Sequence, residues 1–419
     1  MPEPTVTAII NGTAILPDRQ LADSLVLLEG DHIAYAGPRE GRAIPQGARE
    51  VDARGLYVIP GLIDTHVHGT HGDDVMLHGV DGIRRICRRF PQYGTTAWLP
   101  STISARHPEL LTAVRWCVEA QRPVAEGAEI VGLHVEGPYI NPVRKGAQPA
   151  EGVRDPDFDE VHELLGAAEG QMRIMTLAPE LPGALDLIRL LVAEGVIASM
   201  GHTDATYEQA LDGIAAGATH ATHLFNAMRP IHHRDPGIIT ACLNEPEVLA
   251  EVIPDGVHLH PHIVRMALRA KGPDRVALIT DAFSATGLPD GEHTLGPHRV
   301  TVRGAMCTLE DGTIAGSILT MNGAVKNAME YADASLVEAV RMSSLVPARV
   351  AGCADRKGSL EPGKDADVAL LDAGFQCRGT WVRGRQVFPD RARPAGKAQD
   401  LPCARVADSG SRRTTTRRV

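Results

Sequence analysis

The sequence predicts an α/β protein: a (β/α)8 TIM-like barrel with a small β-sandwich domain built from both chain ends. Three observations carry this. Eight short apolar runs recur through the middle of the chain, helical stretches separate several of them, and strand-rich segments stand at both ends. Short apolar runs joined by helices are the pattern of parallel strands buried on both faces. Eight of them favour closure into a barrel.

The first element is half of the small domain, residues 1–57. Segments 5–10 and 24–29 are apolar or β-branched, Asn11-Gly12 and Gly30-Asp31 are turn signals, and no useful helical period appears before Gly61. Its second half is expected over 357–388, where 364–372 (KDADVALLD) and 379–387 (GTWVRGRQV) again look like strands.

The barrel is expected over 58–356. Its eight runs are 57–63, 95–100, 130–135, 173–177, 196–200, 218–222, 248–253 and 275–280. Helices are expected over 108–120, 183–194 and 207–216. An open doubly wound sheet is the alternative, but no strand–GxGxxG–helix unit and no GxxxxGK[ST] loop occurs. Residues 389–419 are rich in Arg, Pro, Gly, Ser and Thr. Arg412, Arg413, Arg417 and Arg418 lie at their end with no carboxylate among them, the composition of a disordered basic tail.

Composition bounds the function. With 419 residues, 43% of them hydrophobic, the chain can bury a sizeable core, and collagen, coiled coil or wholesale disorder are excluded. A net charge of −10 opposes nucleic acid as the main partner, which would require a concentrated basic face. No apolar run of about 18 residues occurs, so no membrane span is expected. The start, MPEPTVTAII, lacks the features of a secretory signal. Seven cysteines, widely spaced and without a CxxC pair, fit small buried hydrophobes in a reducing cytoplasm.

Chemistry gathers where the apolar runs stop, the rim at which a (β/α)8 enzyme builds its site. The first run leads to His66 and His68, the third to Glu136, the fifth to His202, the sixth to His223 and the eighth to Asp281. Residues two apart on a strand share a side, so His66 and His68 face one point. Imidazoles and carboxylates are costly to bury without partners, and a shared metal ion supplies them. Asp281 then reads as a general acid and base beside an activated water, its bland alternative being a helix cap. His232, His233 and Arg234 form a cationic cluster suited to an anion such as phosphate, which the backbone amides at Asn226 and Ala227 would help to hold. Segment 145–148 is either a mobile lid or a plain long loop.

The stretches PGLIDTHVHG, HVEGPYINP, GHTDA, THLFNAMRPIHHRDPG, DGVHLHP, ITDAFSATGLPDGEH and GTIAGSILTMNGAV occur in that order. Together they resemble the N-acetylglucosamine-6-phosphate deacetylase family of the amidohydrolase superfamily, from about residue 5 to 388. The resemblance implies Glu136, His202 and His223 as ligands of a principal metal and His66 and His68 as ligands of a second. The cofactor is one or two divalent ions per subunit, with zinc expected and iron or manganese as alternatives. Asp281 is implied as the catalytic proton donor and acceptor. Asn226, Ala227, Arg234 and His258 are implied as sugar-phosphate contacts, Arg234 reaching across a homodimer interface. Ala147, Gln148, Ile314, Ala315 and Gly316 are implied as further substrate contacts. Some relatives carry histidine at the position of Gln148, where it polarises the acetyl carbonyl; an amide can donate a hydrogen bond but carries no charge. The implied activity is hydrolysis of the acetamide of N-acetyl-D-glucosamine 6-phosphate, in amino-sugar catabolism and cell-wall recycling. Rival readings are a deacetylase of N-acetylgalactosamine 6-phosphate, a cyclic amidase, and a catalytically silent sugar-phosphate sensor.

Overall fold

The computed structural model describes residues 6–121 and 126–389. The basic tail expected over 389–419 therefore lies, apart from Pro389, outside the described residues, as do Cys403 and residues 1–5.

Eight parallel strands form the centre: β1 (Leu62–Val67), β2 (Thr95–Pro100), β3 (Leu133–Glu136), β4 (Met172–Leu177), β5 (Ile197–Met200), β6 (His220–Ala221), β7 (Leu249–Val252) and β8 (Val276–Leu278). Every residue of β1, β2 and β3 is buried, because helices cover one face and the opposite face closes on itself. Strands β3 to β8 are hydrogen-bonded in chain order as one arc, and β1 and β2 form a second with the short strand Glu129–Ile130. Bridges join the arcs at both ends, Ser101 with His134 and Val67 with Ala282, so the strands run round a ring. Helices follow the expected segments closely. Tyr207–Ala216 matches 207–216, and its start is set by a capping box in which Thr206 and Gln209 bond each other's backbone.

Eight further strands, from the two chain ends, make one sheet. Its order is Arg385–Phe388, Cys377–Val382, Val368–Leu371, Tyr57–Pro60, Val6–Ile15, Gln20–Glu29 and His32–Pro38, with Arg49–Asp52 paired to Val6–Ile15. It encloses a core of its own around Ile9, Val26, Val58, Val368 and Trp381.

Three segments differ from the sequence reading. The apolar run 57–63 is two strands: Tyr57–Pro60 pairs with Val368–Leu371 in the end-built sheet, and β1 begins only after Gly61. Residues 130–135 are broken at Gly132 (φ 148°), where a side chain would collide with Arg173. Segment 379–387 is a hairpin that reverses at Arg383-Gly384, both with positive φ. An additional antiparallel sheet, Gly291–Leu295, His298–Arg303 and Met306–Thr308, follows β8. The six described cysteines are free and buried, and burial pushes the Cys87 thiol up to about 12. Among the described residues no helix is long and apolar enough to cross a membrane.

Candidate metal centre and active site

Five strands of the ring deliver polar side chains where regular pairing ends. His66 and His68 close β1, Glu136 closes β3, His202 and His223 follow β5 and β6, and Asp281 follows β8. All six are buried, none more than 8% exposed. His202, His223 and Asp281 have positive φ (49°, 28° and 50°), a region that disfavours L side chains outside glycine. At each of them the backbone leaves the strand and the side chain turns into the shared centre.

Glu136 is the hub. Its Oε1 lies 3.0 Å from His202 Nε2, 3.0 Å from His223 Nε2 and 3.5 Å from His66 Nε2. Its Oε2 lies 3.4 Å from His68 Nε2. Asp281 Oδ1 is 3.1 Å from His68 Nε2 and 3.7 Å from His66 Nε2. Two groups result, Glu136–His202–His223 and His66–His68–Asp281, each with its ligand atoms within 4.8 Å of one another; a third set at that spacing is His66–His134–Glu251.

The second nitrogens of three rings show what the centre is built for. His202 Nδ1 donates to the Arg144 carbonyl (3.1 Å), His68 Nδ1 to the Ser101 carbonyl (3.0 Å) and His66 Nδ1 to Glu251 Oε2 (3.1 Å). With Nδ1 carrying the proton, each Nε2 keeps a lone pair and points it inward, the arrangement of metal-ligating histidine. His66 Nε2 is buried and has no hydrogen-bond partner, and His202 Nε2 faces His223 Nε2 at 3.1 Å. Converging lone pairs repel unless a cation lies among them, so these residues fit a divalent ion.

The same groups also shift one another's ionisation. Burial opposes ionisation of Glu136, yet the imidazoles of His66, His202 and His223 hold its carboxyl well below the usual range. Asp281 is likewise buried, and His66 and His68 hold it low. His66 and His68 are raised, the negative charge of Glu136 and Asp281 outweighing burial. His258 is raised because its 2.7 Å bond to Asp255 overcomes desolvation. His134 is buried beside His66 and pushed down to about 3.

Of the further expected residues several are brought to the centre, while Ile314, His232, His233 and Arg234 are exposed. Gln148 is buried, donating from Nε2 to Glu136 Oε2 (2.6 Å) and accepting from the Ser104 amide (2.6 Å). The loop preceding it packs on the centre, since a side chain at Gly146 would meet Ala227 and His202 at 3.6 Å; Ala147 lies between. Asn226 and Ala227 sit in the turn after His223, Asn226 donating from its side chain to the His223 carbonyl (3.0 Å). Ala315 and Gly316 run beside Asp281, whose carbonyl accepts from Ser317 at 2.8 Å, while Ile314 is exposed. Arg234 is exposed and bonds to His233 (2.6 Å), with no contact to the buried centre.

Two buried carboxylates escaped the sequence reading. Glu251 on β7 accepts from Thr65 Oγ1 (3.1 Å) as well as from His66. Asp64 accepts from Thr280 Oγ1 (2.5 Å) and from the His66 amide (3.3 Å), and desolvation raises it to about 7. Their signal was a lone acid inside an apolar strand, LAEV for Glu251 and LIDTHV for Asp64.

Comparison with known proteins finds the same pattern elsewhere. The model of the amidohydrolase family matches residues 57–387. An N-acetylglucosamine-6-phosphate deacetylase of Vibrio furnissii is 38% identical over 365 residues, 87% of this chain and 90% of that one. An N-acetylgalactosamine-6-phosphate deacetylase of Escherichia coli O157:H7 is 36% identical over 342 residues, 82% of this chain and 90% of its own. Among solved structures, a mutant N-acetyl-D-glucosamine-6-phosphate deacetylase of Mycobacterium smegmatis in complex with N-acetyl-D-glucosamine-6-phosphate superposes with a TM-score of 0.85. It is 34% identical and covers 91% of this chain and 99% of that chain.

Proposed function

The chain belongs to the amidohydrolase family, and from that premise we propose the reaction it performs. It is a deacetylase that hydrolyses the acetamide of N-acetyl-D-glucosamine 6-phosphate, giving D-glucosamine 6-phosphate and acetate. The observation that carries the reading is Glu136 shared between two groups of buried ligands, with Asp281 in one of them.

Glu136, His202 and His223 would hold the principal ion, and His66 and His68 a second, with zinc the expected metal. A divalent ion held there supplies Lewis-acid chemistry, acidifying water and drawing charge from the acetyl carbonyl. Asp281 carries the proton: its carboxylate takes one from the attacking water and returns it to the departing amine. The site's depth supports this, because a buried carboxylate kept ionised by imidazoles starts the cycle as a base. Asn226 and Ala227 would hold the phosphate from the turn after β6, His258 would add a cationic ring held by Asp255, and Ala147, Gln148 and residues 314–316 would frame the sugar. The exposure of Arg234 supports its service to a neighbouring subunit, hence a homodimer. The buried free thiols support a reducing cytoplasm. The end-built sheet supports a small domain drawn from both chain ends, as expected over 1–57 and 357–388, but residues 58–60 pair within that sheet, so the barrel expected over 58–356 starts only after Gly61.

The test is acetate release from N-acetylglucosamine 6-phosphate, with the galactosamine epimer in parallel and a chelator arm for each. Acetate from the gluco epimer, lost with chelator and restored by metal, is the expected result. Faster release from the galacto epimer would select the N-acetylgalactosamine-6-phosphate reading suggested by the E. coli relative. No acetate from either would end the proposal.

A further inference from the structure

Glu251 lies on β7 with none of its surface exposed, below the rim where the metal groups form. An ionised carboxylate there loses its hydration and persists only if fixed donors replace the lost water. Its donors are specific. Oε1 takes the Thr65 hydroxyl (3.1 Å), and Oε2 takes His66 Nδ1 (3.1 Å) and lies 3.4 Å from the His223 amide. His220 Nε2, at 3.9 Å, is beyond hydrogen-bond reach.

No other group takes this task for His66. Asp64 is spent on Thr280 and on the backbone amide of His66, not its ring. His134 packs edge-on to the His66 ring at 4.5 Å, but its own Nε2 is bonded to Thr176 Oγ1 (2.7 Å). The acceptor on Nδ1 decides which nitrogen carries the proton and how the ring is turned, and here it leaves Nε2 bare and aimed at the centre.

We propose that Glu251 is a positioning residue: through Nδ1 it sets the orientation and tautomer of His66, and so governs the affinity of the second ion position. It acts through the His66 ring, whose Nδ1 it holds. The inference rests on the two-position reading above. Its reach to His223 is a long contact to backbone, so the Glu136–His202–His223 position should feel little.

The experiment is zinc titration of the full-length apoprotein against a chromophoric chelator, with circular dichroism on each sample. Wild type, Glu251→Ala, Glu251→Gln and His66→Ala are compared. Wild type is expected to bind two equivalents. In Glu251→Ala the weaker should lose affinity by about 10–100-fold while the tighter stays within about threefold. Glu251→Gln, which keeps the volume and an acceptor oxygen, should lie between wild type and Glu251→Ala. Two wild-type equivalents that both survive unchanged in Glu251→Ala and Glu251→Gln overturn the positioning role alone. Equal weakening of both equivalents in the folded glutamine variant also overturns it. A single wild-type equivalent indifferent to His66→Ala overturns the two-position reading instead, and this inference with it.

Discussion

At the scale of single residues, the centre depends on side chains held in conformations the chain would otherwise avoid. His202, His223 and Asp281 sit at positive φ, each at a cost of order 1–3 kcal/mol repaid by surrounding contacts. The backbone at Asp281 is pinned from two sides: its amide donates to the His66 carbonyl (2.9 Å) and its carbonyl accepts from Ser317 (2.8 Å). The carboxylate is therefore presented by a fixed frame, which an asparagine would inherit. Asp281→Asn should keep the ion held by Glu136, His202 and His223 but lower kcat by about 10²–10⁴, the usual share of a general acid–base group. Steady-state kinetics beside metal analysis checks this, and turnover equal to wild type would remove Asp281 from proton transfer. Gln148 illustrates a different point. The family resemblance implies a substrate contact for it, and the structure adds that both ends of its amide are engaged, one on Glu136 and one on the Ser104 amide. No sequence pattern could show that an amide would be spent on a neighbouring carboxylate.

At the scale of elements, periodicity revealed what depends on local chain and missed what depends on contacts from afar. The strand at 95–100 and the helix at 207–216 were legible because apolar pattern and caps lie within the segment itself. The division of 57–63 was not, since both halves are apolar and only their partners differ: Val368–Leu371 for one and β2 for the other. Glu251 was overlooked for the related reason that its donors come from β1 and the β6 turn. At Gly61, where the chain crosses from the end-built sheet into β1, an added Cβ would stand 2.0 Å from Thr96 Oγ1, on a buried strand that cannot retreat. Gly166 stands exposed near the end of helix Phe158–Ala168 with nothing within 4 Å of an added Cβ. Gly61→Ala should thus destabilise by about 1–3 kcal/mol through overpacking, while Gly166→Ala should stabilise by roughly 0.5–1 kcal/mol through helix propensity. Urea midpoints of the two variants would settle it, and shifts of the same sign would contradict the argument.

At the scale of the whole molecule, the end-built sheet and the ring are held together by an ion cluster centred on the buried Lys357, away from the catalytic rim. Lys357, whose side chain is 1% exposed, reaches Asp367 (2.7 Å), Asp365 (2.9 Å) and Glu129 (2.9 Å). Arg356 reaches Glu129 (2.6 Å) and Asp365 (2.7 Å). Glu129 belongs to the ring's short strand, and Asp365 and Asp367 lead into Val368–Leu371 of the other sheet, so the two cations tie one body to the other. The cluster has three carboxylates for two cations, and removing Lys357, the buried one, strands negative charge in the interior. Burial raises the Glu129 carboxyl, but Arg356 and Lys357 outweigh it and leave it below its ordinary 4.5. A folded value below the unfolded one means that Glu129 contributes stability above about pH 4.5, and that the contribution fades as pH falls through the folded value. Lys357→Met should therefore cost about 3–5 kcal/mol near neutrality, the range for breaking a buried ion pair. The penalty should shrink as acid protonates Glu129, since one stranded charge is then neutral. Urea midpoints of wild type and variant, compared at pH 7 and in acid below the ordinary carboxylate value, measure that difference. A penalty equal at both pH values would mean that the pairing of Lys357 with Glu129 is not what the variant loses, and that the two bodies are joined by other contacts.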